Sequence, residues 1–295
     1  MTYTEDALVE QPAINLFKQL DWESATCWDE VFGESTPEHP LAFGRESRTD
    51  VILFARLKAA LLKLNPDIAE PILQEAIDDV ARDRSAMSPI AANEQVYQLL
   101  KNGYAYTTDA AGEEDCVVRY VDWNTPSQND FLLCSQMTIC GEIETRRPDL
   151  LGFVNGLPLV FVELKASHKN LLTAYKNNLS DYRKEIPQLF HYNQLIILSN
   201  GVQSQVGTIS SKWEHFAEWK KIESEQEKRR VSLEVVIRGV CEKNRLLDII
   251  ENYTLFVKTK DTIKIVSKYH QYLGVNQALE GLNNVREREG QLGVF

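Results

Sequence analysis

Asp149, Glu163 and Lys165 are the residues of this chain whose types and spacing suit chemistry. Two carboxylates supply the hard oxygen ligands that Mg²⁺ prefers, with Mn²⁺ able to substitute, and leave room for water and a phosphate oxygen in the shell. The backbone carbonyl of Leu164 is a further candidate ligand. A cation held there would acidify a bound water and neutralise charge developing on phosphorus, while the compact ammonium of Lys165 orients that water or stabilises the transition state. The constellation points to phosphodiester hydrolysis.

Strands must present these groups. The run Leu157-Pro-Leu-Val-Phe-Val-Glu-Leu-Lys165 has strand composition, and its parity puts Glu163 and Lys165 on one face with Val160, Val162 and Leu164 on the other. A glutamate and a lysine inside so apolar a strand are costly unless paired or metal-bound. Asp149 begins the partner strand of a hairpin turning at Asn155-Gly156. A simple two-residue turn would set Asp149 opposite Val162, on the wrong face. We therefore expect a three-residue loop, Val154-Asn155-Gly156, with Gly156 left-handed in a bulge, pairing Phe153 with Leu157 and setting Asp149 diagonally across from Glu163. Basic residues flank the trio, at Arg146 and Arg147 before it and Lys169 after it, and are expected to meet DNA. The competing explanation is an ordinary salt bridge at a strand edge.

The first third reads as helical, with apolar stripes over Ala7 to Leu20, Ser47 to Leu64 (a capping candidate at Thr49), Glu70 to Arg82 and Glu94 to Lys101. From Cys116 the pattern changes to short β-like runs at 116–122, 130–139, 149–154, 157–165 and 195–200, with a helix over 171–185. A strand over Val231 to Ile237 and helices around Arg245 to Phe256 and Ile265 to Leu282 complete the chain. The expected fold class is α/β, a mixed sheet flanked by helices. It divides into a helical N-terminal region (1–105), a core (106–258) and a helical linker (259–295).

Apolar residues at 43% and charged residues at 25% describe an ordinary globular chain, with neither a signal-peptide pattern nor an apolar run long enough to span a membrane. A cytoplasmic location is the expectation. The five cysteines lack the spacing of a zinc site or a disulfide framework and read as reduced. A net charge of -11 argues against strong autonomous DNA binding, because such proteins usually carry a basic surplus. DNA would be gripped with help from partners.

The pieces Arg119-Tyr-Val-Asp-Trp, Gln136-Met-Thr, Arg147-Pro-Asp, Asn155-Gly-Leu-Pro-Leu-Val-Phe-Val-Glu-Leu-Lys, Gln188-Leu-Phe-His-Tyr-Asn and Leu198-Ser-Asn-Gly resemble the N-terminal part of the restriction (motor and nuclease) subunit of type I restriction-modification enzymes. The resemblance implies a RecB-like PD-(D/E)xK nuclease core, with Asp149, Glu163 and Lys165 as its motif residues, acting on double-stranded DNA. It also implies methyltransferase and specificity subunits as partners. Many members carry Q-x-x-x-Y on the helix after the lysine, where this chain has Asn178 and Tyr182. Related nucleases can recruit a glutamate from an early helix, which makes Glu10 a candidate, although a solvated helix face is the simpler reading. The family continues into an ATP-driven motor, whereas no G-x-x-x-x-G-K-[ST] occurs here, so ATP is expected only in the full-length subunit and this chain reads as a monomeric fragment. Two alternatives stay open: a non-catalytic docking or DNA-binding module on a nuclease fold, and another repair nuclease or resolvase of the same superfamily.

Overall fold

The computed structural model describes residues 9–28, 30–33, 43–107 and 116–283. The start of the Ala7 helix and everything after Asn283 lie outside the described residues. Helix α1 (Gln11–Gln19) begins with Pro12 in its first turn, where a missing N–H costs nothing, and buries Ala13 and Phe17. Strand β1 (Glu23–Thr26) follows, so the first third is not purely helical. Helices α2 (Phe54–Leu64), α3 (Glu70–Ala81) and α4 (Pro89–Asn102) come next. Helix α2 starts later than Thr49 because the Asp50 carboxylate accepts from the amides of Glu46 and Ser47, holding that segment as a turn. Helix α4 starts earlier than Glu94, capped by Ser88 with Pro89 behind it, and stops at left-handed Gly103.

A small hairpin pairs β2 (Tyr104–Tyr106) with β3 (Cys116–Val118), and β4 (Phe131–Ser135) enters the main sheet. A second small hairpin, β5 (Ile139–Cys140) with β6 (Thr145–Arg146), leads to β7 (Leu150–Val154) and β8 (Leu157–Leu164). A continuous helical stretch runs from α5 (Leu171–Thr173) through a π-helical segment, Ala174–Leu179, into α6 (Ser180–Glu185). Helix α7 (Pro187–Tyr192) and strands β9 (Leu195–Ser199) and β10 (Ser204–Gly207) complete the core sheet. Its order is β1-β4-β7-β8-β9-β10, with β1 parallel to β4, β8 parallel to β9 and the remaining neighbours antiparallel. The four central strands β4, β7, β8 and β9 are buried throughout, which is why they read as unbroken apolar runs. A mixed sheet flanked by helices is the fold class expected.

Two local expectations are overturned beyond this sheet. The segment expected as a strand over Val231 to Ile237 forms helix α8 (Ser232–Cys241), with Leu233, Val236, Ile237 and Val240 buried at helical spacing and Gly239 seated against Trp219. Its β-branched residues favour a strand locally, but burial against neighbouring elements decides. Helix α9 (Lys243–Asn252), capped by the Glu242 carboxylate, gives way to an antiparallel hairpin of β11 (Thr254–Lys258) and β12 (Thr262–Val266) before α10 (Tyr269–Asn283). The helices expected over Arg245 to Phe256 and Ile265 to Leu282 are each shortened by a strand of that hairpin. All five cysteines are unpaired. No helix among the described residues is long and apolar enough to cross a membrane.

Candidate metal and active site

The β7–β8 hairpin corrects the expected turn. Asn155 and Gly156 both have positive φ, 50° and 78°, and Val154 pairs with Leu157, which is a two-residue turn rather than a three-residue loop. Phe153 pairs with Pro158, not Leu157. The bulge lies further along: Gly152 pairs with Val160, so Leu159 is an extra residue on β8. Pro158 has no N–H for the ladder, and Gly152 lets β8 come close, since a Cβ there would sit 3.0 Å from Val160 Cβ. These residues favour a break in the ladder beside them instead of at the turn. The two carboxylates are nonetheless brought to one face by the other route. Leu150 pairs with Val162, and continuing that register by one places Asp149 opposite Glu163.

Asp149 is half-buried just before β7, and its Oδ2 accepts the backbone N–H of Leu164 at 2.7 Å. Glu163 is only 1% exposed. Its Oε1 accepts from Lys165 Nζ at 2.7 Å and from Asn178 Nδ2 at 2.6 Å. Its Oε2 is buried without a hydrogen-bond partner among the described residues. Burial pushes the Glu163 carboxyl above the usual range against the opposing pull of Lys165, Asn178 and Tyr182. The Lys165 backbone N–H continues the β8–β9 ladder to Ser199 O at 2.8 Å, which fixes where its side chain starts.

The helical stretch after β8 supplies the third wall. Asn178 lies in the π-helical segment, a geometry that recurs at functional sites, and Tyr182 follows on α6. The Tyr182 hydroxyl donates to Arg147 O at 3.2 Å, and burial followed by the nearby charges of Glu163 and Asp149 raises its pKa. Asn178 thus bonds Glu163 directly, while Tyr182 is tied to the backbone of Arg147, two residues before Asp149. Arg146 is committed to Glu185 and, at 3.8 Å, to Asp181, so its charge is compensated internally. Arg147 is exposed with its guanidinium 4.0 Å from the Trp28 ring centroid, and Lys169 is exposed just beyond β8. The Glu10 carboxylate accepts from Gln136 Nε2 at 2.9 and 3.0 Å.

Gln136 is the residue that sequence reasoning passed over. Its φ is 58°, its backbone N–H donates to Asp149 O at 3.0 Å, and its side chain holds Glu10. Its sequence signals are its place in the Gln136-Met-Thr piece and its position as a lone amide just after the apolar strand run 131–135. Among the described residues no group of three or more His, Cys, Asp or Glu forms a metal cluster, so Glu10 does not complete a three-carboxylate site with Asp149 and Glu163.

The burial of Glu163 has a measurable cost. A folded-state pKa above the unfolded value means stability is lost as pH rises through it, so the metal-free protein carries a penalty at neutral pH that a neutral amide avoids. In EDTA, Glu163→Gln is expected to raise the melting temperature at neutral pH, with the advantage disappearing in acid. Melting curves across pH check this, and a lower Tm at neutral pH would contradict it.

Residues 2–215 match the family described as type I restriction enzyme R protein N terminus. The chain is 32% identical to the type I restriction enzyme HindI endonuclease subunit of Haemophilus influenzae over 286 residues, covering 92% of this chain and 26% of that protein. It is 27% identical over 305 residues to a protein of Methanocaldococcus jannaschii described as the type I restriction enzyme MjaIXP endonuclease subunit, covering 94% of this chain and 27% of that one. The chain thus spans about a quarter of the length of these curated relatives. With the family matched over most of its length and a mixed sheet presenting Asp149, Glu163 and Lys165 together, this chain belongs to the type I restriction enzyme R protein N-terminal family.

Proposed function

We propose that this chain is a Mg²⁺-dependent endonuclease domain of PD-(D/E)xK type, hydrolysing DNA phosphodiester bonds within a type I restriction complex. The observation that carries the reading is the register shift at Leu159, which brings Asp149 opposite Glu163 beside the Lys165 ammonium. The donor set suits the cation: Glu163 Oε2 is a buried acceptor without a hydrogen-bond partner among the described residues, and Asp149 and the Leu164 carbonyl would add hard oxygens. Bound there, Mg²⁺ or Mn²⁺ supplies Lewis acidity and makes a nearby water more acidic.

The chain's own residues do the rest. Asn178 and Lys165 both donate to Glu163 Oε1, which orients the carboxylate and leaves Oε2 directed to a ligand. With its side chain 19% exposed, Lys165 reaches the opening of the site, where it orients the attacking water and stabilises charge on the phosphate. Tyr182 ties the Arg147 backbone to the helix, and the exposed side chains of Arg147 and Lys169 are available to the DNA backbone. A chain of net charge -11 leaves most of the DNA grip to the methyltransferase and specificity subunits, with ATP used by the remainder of the subunit.

Mn²⁺ titration by calorimetry tests the reading. Wild type is expected to bind the ion, and Asp149→Asn to weaken binding about tenfold or more. Absence of binding by wild type would favour a silent docking module on the same fold.

A further inference from the structure

Strand β12 is amphipathic in the wrong sense. Its parity turns Lys264 inward, 2% exposed, while Ile263 and Ile265 face outward at 38% and 44%. Among the described residues no carboxylate meets the buried lysine. Its Nζ donates to Asn93 Oδ1 at 2.9 Å, to Asn193 O at 3.4 Å and to the side-chain carbonyl of Gln194, and it lies 5.6 Å and 5.3 Å from the ring centroids of Tyr97 and Phe256. Burial pushes this ammonium well below the ordinary lysine range. An arrangement so costly calls for a return elsewhere.

The amides that receive Lys264 lead into the bulge. Asn93, Asn193 and Gln194 are all buried. Asn93 Nδ2 donates to the carbonyls of Phe190, His191 and Asn193. Asn193 Nδ2 donates to Leu159 O at 3.2 Å, and the Gln194 backbone N–H donates to the same oxygen at 2.7 Å. Leu159 is the extra residue of β8. We infer that Lys264 is a positioning residue for the candidate metal site, holding Asn193 and Gln194 so that they lock the Leu159 carbonyl and with it the register that sets Asp149 opposite Glu163. An aliphatic side chain at 264 would leave Asn93 Oδ1, Gln194 Oε1 and the Asn193 carbonyl without this donor, loosening the 193–194 backbone that presents both donors to Leu159 O. Displacing the β11–β12 hairpin would loosen the register by the same route.

The inference rests on the proposed metal site. The backbone of Lys264 is clamped separately, since Thr208 and Ser210 hydroxyls donate to its carbonyl and Ser210 Oγ accepts its N–H, so Lys264→Met keeps the strand docked. On this 295-residue chain, Mn²⁺ affinity and amide hydrogen exchange at Gln194 are measured for wild type, Lys264→Met and Lys258→Met, an exposed position on the same hairpin. The expected result is about tenfold weaker Mn²⁺ binding and faster Gln194 exchange in Lys264→Met, with neither changed in Lys258→Met. A folded Lys264→Met with wild-type affinity and exchange overturns the inference. Should that variant not fold, Gln194→Leu replaces it, and an unchanged Mn²⁺ affinity there overturns the inference equally. If wild type binds no Mn²⁺, the metal-site reading fails by itself, while unchanged Gln194 exchange in Lys264→Met still decides against the positioning link.

Discussion

Lys165→Ala is expected to lower Mg²⁺-supported cleavage of supercoiled plasmid by about 10²–10³-fold, the effect proposed for removing a pre-placed donor from a developing charge. Lys165 is the one ammonium bonded to Glu163, at 2.7 Å among the described residues, and its side chain leads from the buried carboxylate to the surface. Arginine is expected to restore little at this position, because a planar fork replaces poorly a compact point charge this close to Glu163. On the proposed reading, Mn²⁺ is expected still to bind the variant, since the oxygens of Asp149 and Glu163 remain. In the metal-free variant Glu163 loses its strongest opposing influence and holds its proton more tightly. Cleavage at the wild-type rate by Lys165→Ala would remove this lysine from the chemistry.

Gly156→Ala is expected to cost about 3 kcal/mol, combining the left-handed backbone with a clash in a closed space. Gly156 has φ +78°, and a Cβ there would stand 2.6 Å from Leu53 O and 2.7 Å from Leu57 N. Both are backbone atoms of the first turn of α2, and Gly156 O itself accepts the Leu53 N–H at 2.9 Å. Relief would require unwinding that turn or pulling the hairpin from it. For a chain of this size the loss lowers Tm by roughly 6–12 °C. Gly274→Ala on α10 is the matched control, with open space around the added Cβ and a gain of about 0.5–1 kcal/mol from helix propensity. Thermal melts of both variants settle the comparison, and equal melting temperatures would refute the packing argument.

Residue type and strand parity made the site legible before any coordinates. Glu163 and Lys165 share a face because they are two apart in a strand, and a polar pair in so apolar a run stands out from its composition alone. The buried strands at 131–135, 150–154, 157–164 and 195–199 were equally readable, since a strand covered on both faces is apolar without interruption. The need for one register shift also followed from parity. Its place did not: Pro158 and Gly152 are both recognisable bulge markers, but choosing between them and the turn depends on what packs behind each. Asn155 is held by Asp130, Tyr120 and Asn129, far away in sequence, and these contacts keep the turn at two residues.

What the sequence by itself determined is the candidate residues, the parity that puts Glu163 and Lys165 on one face and the apolar core strands, because these are properties of a few neighbouring residues and their period. What only the tertiary structure decided is everything set by long-range burial. Val231 to Ile237 became a helix, Thr262 to Val266 a strand, Arg146 an internal ion-pair partner and Lys264 a buried donor, each through partners remote in the chain. The trio itself shows both sides: local periodicity aligned Glu163 with Lys165, and only the packed hairpin, bulged at Leu159, brought Asp149 to them.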